Sequence, residues 1–178
     1  MGRDVHHREL CDLEIQRDVP RDRLSGDASI AYARPVISFG PFKPAHLYNL
    51  NVQEAQRWTM AYIDPFMAQA LEGMWSNTVF KNGHPICCGG VVAQRPDYGI
   101  VWSFVGADVT AVDFLSLHRL VKTFIGSLPF RRVEMHVDCE FTNGHRWAKA
   151  LGFSMEAARM RGFLLNGGDA SLYARIKR

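Results

Sequence analysis

The chain has 178 residues, 47% of them apolar, 22% charged and 11% aromatic, with a formal net charge of +3. That length and balance suit one globular domain with a single sizeable core, expected to be soluble and intracellular. No apolar run approaches the roughly 20 residues of a bilayer helix, and the charge-rich start argues against a secretory signal, so no membrane partner is expected.

Charge is spread unevenly. Residues 1–27 hold five arginines and seven acidic side chains, a net of −2, which leaves +5 for the rest. Within that stretch Leu10, Leu13, Ile15, Val19 and Leu24 are scattered among charges and make no core unaided. The chain therefore divides into a polar N-terminal arm, residues 1–27, and a folded domain, residues 28–178. The arm is expected to join other protein chains, and the modest total charge gives no warrant for a nucleic-acid partner. Cys11, Cys87, Cys88 and Cys139 lack paired spacing, which fits a reducing compartment. No second ligand cluster follows His6, His7 and Cys11, so no metal is expected.

From Ala28 onward strand-like and helix-like segments alternate without repeats. Val36, Ile37 and Phe39 predict a first strand within residues 35–42, with Pro41 and Pro44 ending it. Helices are predicted over residues 53–62 and 65–74, where apolar residues recur at helical spacing and Asp64-Pro65 reads as a cap and first helical position. Residues 76–80 and 86–94 flank Asn82-Gly83, a pair favoured in tight hairpins, and a second reversal at 96–99 leads to a strand over 100–105. A long amphipathic helix is predicted over 111–128, stopped by Pro129, and a strand follows around Val133, Met135 and Val137. A helix over 143–151 closes at Gly152, and a terminal hairpin joins 155–165 to 170–177 through Asn166-Gly167-Gly168.

This order resembles the GNAT fold of N-acetyltransferases over about residues 35–177. Two runs carry the likeness: Asn82-Gly83-His84-Pro85-Ile86-Cys87-Cys88-Gly89-Gly90, similar to the family's second hairpin, and Asn143 through Leu151-Gly152-Phe153, similar to its helix-to-strand ending. Length and arrangement also resemble the acetyltransferase-like proteins of short-tailed bacteriophages, some of which are virion components. The resemblance implies an α/β (α+β) fold: a mixed, largely antiparallel sheet flanked by helices, of the acyl-CoA N-acyltransferase type, with an N-terminal extension. Two functions follow as expectations. One is a phage virion structural or accessory component that binds other virion chains through its arm, in the virion or the host cytoplasm. The other is an acetyl-CoA-dependent N-acetyltransferase acting on an amine substrate.

The family site would lie where the fourth strand splays from the fifth, here between residues 102–106 and 133–138. Acetyl-CoA would pair there like an added strand, with its pyrophosphate at the following helix start, residues 106–111. Cofactor contacts then fall on Val105, Gly106, Ala107 and Thr110, with Asn143 and Arg146 of the next helix, and the amides near Val105 and Gly106 polarise the thioester. His145 and Asp138 are the catalytic candidates, with His136 and Cys139 the other nearby titratable groups. Three features depart from the pattern. The loop Gly106-Ala107-Asp108-Val109-Thr110 keeps one glycine, Asp108 brings negative charge to an anionic ligand, and the family's acid tyrosine position falls on Ala148. Asp108 and Thr110 read more simply as a helix cap, and Tyr173 as a core aromatic.

Overall fold

Asn82 and Gly83 both adopt left-handed backbone, at φ 51° and 81°, and so close the tight hairpin that their sequence predicts. That hairpin seeds the first half of the sheet. The computed structural model describes residues 36–177; the proposed arm, with His6, His7 and Cys11, lies outside the described residues. The strands are β1 Ile37–Pro41, β2 Ser76–Lys81, β3 His84–Arg95, β4 Tyr98–Val105, β5 Arg132–Asp138, β6 Ser154–Met160 and β7 Ala170–Ile176. The helices are α1 Pro44–Tyr48, α2 Glu54–Met60, α3 Pro65–Ala70, α4 Ala111–Ser127 and α5 Thr142–Ala150.

All seven strands join one sheet in the order β1-β2-β3-β4-β5-β7-β6. Every pairing is antiparallel except β4 with β5, which the long α4 crossover makes parallel. Side-chain alternation sends neighbours to opposite faces, so adjacent Cys87 and Cys88 belong to different cores. Cys87 packs with Val79, Val105 and Leu117 of α4. Cys88 packs with Phe42, Leu47, Val52 and Phe104, under α1 and α2. A third cluster joins Val91, Val133, Val137 and Tyr173 to Ile125 of α4 and Ala148 of α5. The sheet is thus a middle layer, with α4 and α5 on one face and α1–α3 on the other.

Two segments differ from the sequence reading. Pro44, expected to end a strand, starts the five-residue α1 instead; a proline costs nothing at a first helical position, where its missing N–H would have no partner. The penultimate strand stops at Met160 rather than 165. Asp169 accepts the Gly162 N–H at 2.8 Å and the Arg159 Nε–H at 2.5 Å. Gly162 takes φ 63°, and the chain turns there.

Candidate functional site

β4 and β5 share three registered pairs, Tyr98↔Arg132, Gly99↔Val133 and Ile100↔Glu134. Beyond Ile100 the strands part. Residues 101–105 and 135–138 then face each other across a cavity of about 640 Å³. The expected splay is present, although Val133 and Glu134 still pair below it.

The β4 side of this wedge is occupied by the chain itself. Gln53 and Gln56 stand one turn apart at the start of α2, and Gln53 Nε2 donates to Gln56 Oε1 at 2.7 Å. Gln56 Nε2 donates to the Ser103 carbonyl at 2.7 Å, and the Val105 N–H donates to Gln56 Oε1 at 3.0 Å. These two strand groups point to one side, so a single side-chain amide satisfies the edge as a neighbouring strand would. The backbone continues this pairing: Gln53 N–H donates to the Val105 carbonyl at 2.9 Å, Ala107 N–H to the Asn51 carbonyl at 2.7 Å, and Val52 bridges Gly106. Gly106 N–H donates to the Ile86 carbonyl at 2.9 Å. The amides of Val105, Gly106 and Ala107, expected to meet an acyl donor, therefore already donate within the chain.

The start of α4 holds an internal anion. Thr110 caps it: Asp113 N–H donates to Thr110 Oγ1 at 3.3 Å, and Thr110 N–H and Oγ1–H donate to Asp113 Oδ2 at 3.1 and 2.6 Å. Lys81 Nζ lies 2.7 Å from the same oxygen, and Asp113 is 4% exposed. The Lys81 ammonium and the Thr110 donors hold the Asp113 carboxyl below the usual carboxylate range. Asp108 does not cap α4; it accepts from Asn51 Nδ2 at 3.2 and 3.3 Å, and so pins the Asn51–Ala107 contact. Asp108 thus sets a carboxylate where a pyrophosphate would seek positive charge, and the Lys81 ammonium nearby is already paired with Asp113. No lysine or arginine lines the cavity among the described residues. The β4 groups with which an acyl-coenzyme A donor would pair are thus taken up by Gln53, Gln56 and Asn51.

Of the two catalytic candidates, Asp138 lines the wedge and His145 does not. His145 is half-buried: its Nδ1 lies 3.0 Å from Tyr173 Oη and its Nε2 3.3 Å from the Cys139 carbonyl. Tyr173 is fully buried in the core, where burial pushes its phenol up. Asn143 and Arg146 are exposed on α5, away from the lining. Ala148 is buried and contributes a methyl group to the wedge wall.

The residue that sequence reasoning passed over is Gln56, since nothing local marks a helical glutamine as the partner of a strand 47 positions away. His136 also lines the wedge, on the same strand as Asp138. Its ring packs against Phe163 at a tilt of 44° with centroids 4.5 Å apart, and burial lowers its pKa against a smaller opposing pull from Glu134. The alternation of His136 and Asp138 with Met135 and Val137 was the available signal. Cys87 and Cys88 are buried thiols; burial raises both, Cys88 to about 11.

No protein-family model matches the sequence, and no curated protein matches it. Solved structures do match. Ard1 from Thermoplasma volcanium superposes with a TM-score of 0.65 at 14% identity, over 80% of this chain and 98% of that one. A spermidine N-acetyltransferase SpeG chimera from Vibrio cholerae and hSSAT gives 0.61 at 13%, over 79% and 95%. A chain of the NatC complex bound to Gag peptide and CoA gives 0.56 at 15%, over 80% and 99%. With its seven-stranded mixed sheet, flanking helices and parted central strands, the chain has the GNAT acyl-CoA N-acyltransferase fold.

Proposed function

We propose that this chain uses the acetyltransferase architecture to bind a protein partner rather than to transfer an acetyl group. The observation that carries this reading is Gln56, whose amide occupies the Ser103 carbonyl and the Val105 N–H on the edge where a donor would pair. The carboxylate of Asp108 at the phosphate end adds electrostatic cost to the same ligand, while that of Asp113 is paired with Lys81. Assembly with other virion chains of a short-tailed phage is the setting that the sequence resemblance suggests. The acidic balance of residues 1–27 against the basic remainder offers that assembly an electrostatic means of association.

A second reading is an acetyl-CoA-dependent N-acetyltransferase of an amine. It is favoured by the cavity between β4 and β5 and by an imidazole, His136, beside it, whose pKa burial lowers. Fold alone does not choose between the two. Calorimetric titration of the full chain with acetyl-CoA does: binding and assembly predict no saturable heat up to millimolar ligand, whereas micromolar saturable binding would establish the transferase reading instead.

A further inference from the structure

The outer surface of the α4–α5 layer carries charge that the fold does not use. The two helices lie side by side: Trp147 Nε1 donates to His118 Nδ1 at 3.2 Å, and the Trp147 ring packs against Phe114 with centroids 5.3 Å apart. Leu117, Ile125 and Ala148 turn inward to the clusters on the sheet, so the far side of each helix faces away from it. On α4 that side holds Val112, Leu115, Arg119 and Lys122, all exposed and spaced by three, four and three residues, which makes one stripe. On α5, Arg146 and Lys149 are exposed one turn apart. Val112 and Leu115 stand 73% and 57% exposed. None of the four cations forms an ion pair among the described residues. The one acidic side chain of the two helices, Asp113, is buried and paired with Lys81. The face is thus basic with an apolar end.

One run of the sequence is its complement. Between Arg8 and Arg17 the chain reads Glu9-Leu10-Cys11-Asp12-Leu13-Glu14-Ile15-Gln16, three carboxylates and three large apolar side chains without a cation. Other acids of residues 1–27 sit beside arginines: Asp4 follows Arg3, Asp18 follows Arg17, and Asp22 lies between Arg21 and Arg23. The described chain begins close to the basic face. Ile37 pairs with Lys81, whose Nζ lies 2.7 Å from Asp113 in the first turn of α4, and Ile37 packs in one cluster with Phe114 and Leu117. The 20 residues from Gln16 to Pro35 can span at most about 70 Å, whereas the 17 residues of α4 are only about 25 Å long. Residues 9–15 can therefore reach any part of the face. Attachment to the same chain sets their local concentration on the order of millimolar, so weak contacts suffice.

We infer that residues 9–15 dock on the outer face of the α4–α5 layer of their own chain, with carboxylates against Arg119, Lys122, Arg146 and Lys149 and apolar side chains over Val112 and Leu115. Exposed charges supply most of the attraction, so salt weakens it, and burial of the apolar pair supplies the part that salt leaves. The contact lies on the opposite side of the sheet from α2 and does not rest on the proposed function. A partner chain that takes up the acidic segment competes with it.

Zero-length carbodiimide cross-linking of the dilute full chain, read by peptide mass spectrometry, tests the contact. The expected product is an amide between Lys122 or Lys149 and Glu9, Asp12 or Glu14, found in monomers and lost at roughly 0.5 M salt, where screening acts within about 5 Å. Reversing the acids, with Glu9→Lys, Asp12→Lys and Glu14→Lys together, should move the nitrogen-15 amide signals of Leu115, Arg119 and Arg146 and leave that of Val91 in place. Adding Arg119→Glu and Lys122→Glu to that variant should restore a cross-link between the two regions with the charges exchanged. Absence of the wild-type cross-links, or signals of Leu115, Arg119 and Arg146 that the reversal leaves in place, overturns the contact. Cross-links confined to dimers also overturn docking within one chain, and leave the association between chains of the proposed function standing.

Discussion

Replacing Gln56 with alanine removes the amide that joins α2 to β4. Besides the bond from Gln53, two hydrogen bonds to the strand go, at 2.7 and 3.0 Å, leaving the Ser103 carbonyl without its donor and the Val105 N–H without its acceptor. A net contribution of about 0.5–1.5 kcal/mol for each bond puts the loss at about 1–3 kcal/mol, toward the upper end because Val105 is buried and water reaches it poorly. Urea unfolding should show a lower midpoint with an unchanged slope, since the native fold and the surface exposed on unfolding stay the same. Exchange at the Val105 amide should accelerate more than at Val91, which lies in the same sheet but far from α2. An unchanged midpoint together with wild-type exchange at Val105 would mean that Gln56 does not hold the edge, and the reading of a closed wedge would fail with it.

Three further outcomes follow from the packing and the charges. Asp113 is held below its usual carboxylate value by Lys81 and Thr110, so its stabilising contribution is present above the ordinary carboxylate pKa near 4 and is lost as pH falls through the depressed folded value. Asp113→Asn should lower stability at pH 7 by about 1–3 kcal/mol and flatten the acid limb of a stability-against-pH curve; an unchanged acid limb contradicts the pairing. At Gly90 an added Cβ would lie 2.4 Å from the Trp75 carbonyl oxygen and 2.7 Å from the Ser76 Cα, both backbone atoms. Gly90→Ala should therefore cost about 1–3 kcal/mol by thermal or urea unfolding, while Gly73→Ala, with open space around it, should cost less. Tyr173→Phe keeps the core volume and removes the bond to His145, so about 1 kcal/mol of stability should go without loss of fold, read by the unfolding midpoint.

The fold was legible where local chemistry and long-range packing agree. Asn82-Gly83 names its own turn, Asp64 caps α3 by accepting the Met67 N–H at 2.7 Å, and the apolar face of α4 buries Leu117 and Ile125 as its periodicity predicts. It was not legible where one residue has two local meanings. Pro44 serves equally as a strand stop or a first helical residue, and the run through Met160 reads as strand until Asp169 draws Gly162 into a turn. The wedge was placed nearly correctly because β4, the crossover helix and β5 follow in order. What fills its β4 edge was invisible, because the Gln56 contact depends on how α2 lies across the sheet and not on any residue near it in sequence. His145 is a similar case: nothing near it in sequence marks it as the partner of a buried tyrosine 28 positions away.

The closed donor edge is tested most directly by nitrogen-15 spectra of the full chain recorded while acetyl-CoA is added to millimolar concentration. The amide resonances of Val105, Gly106 and Ala107, which donate to Gln56, Ile86 and Asn51, should stay in place and keep their protection from exchange. Saturable movement of those three signals at micromolar acetyl-CoA would contradict it.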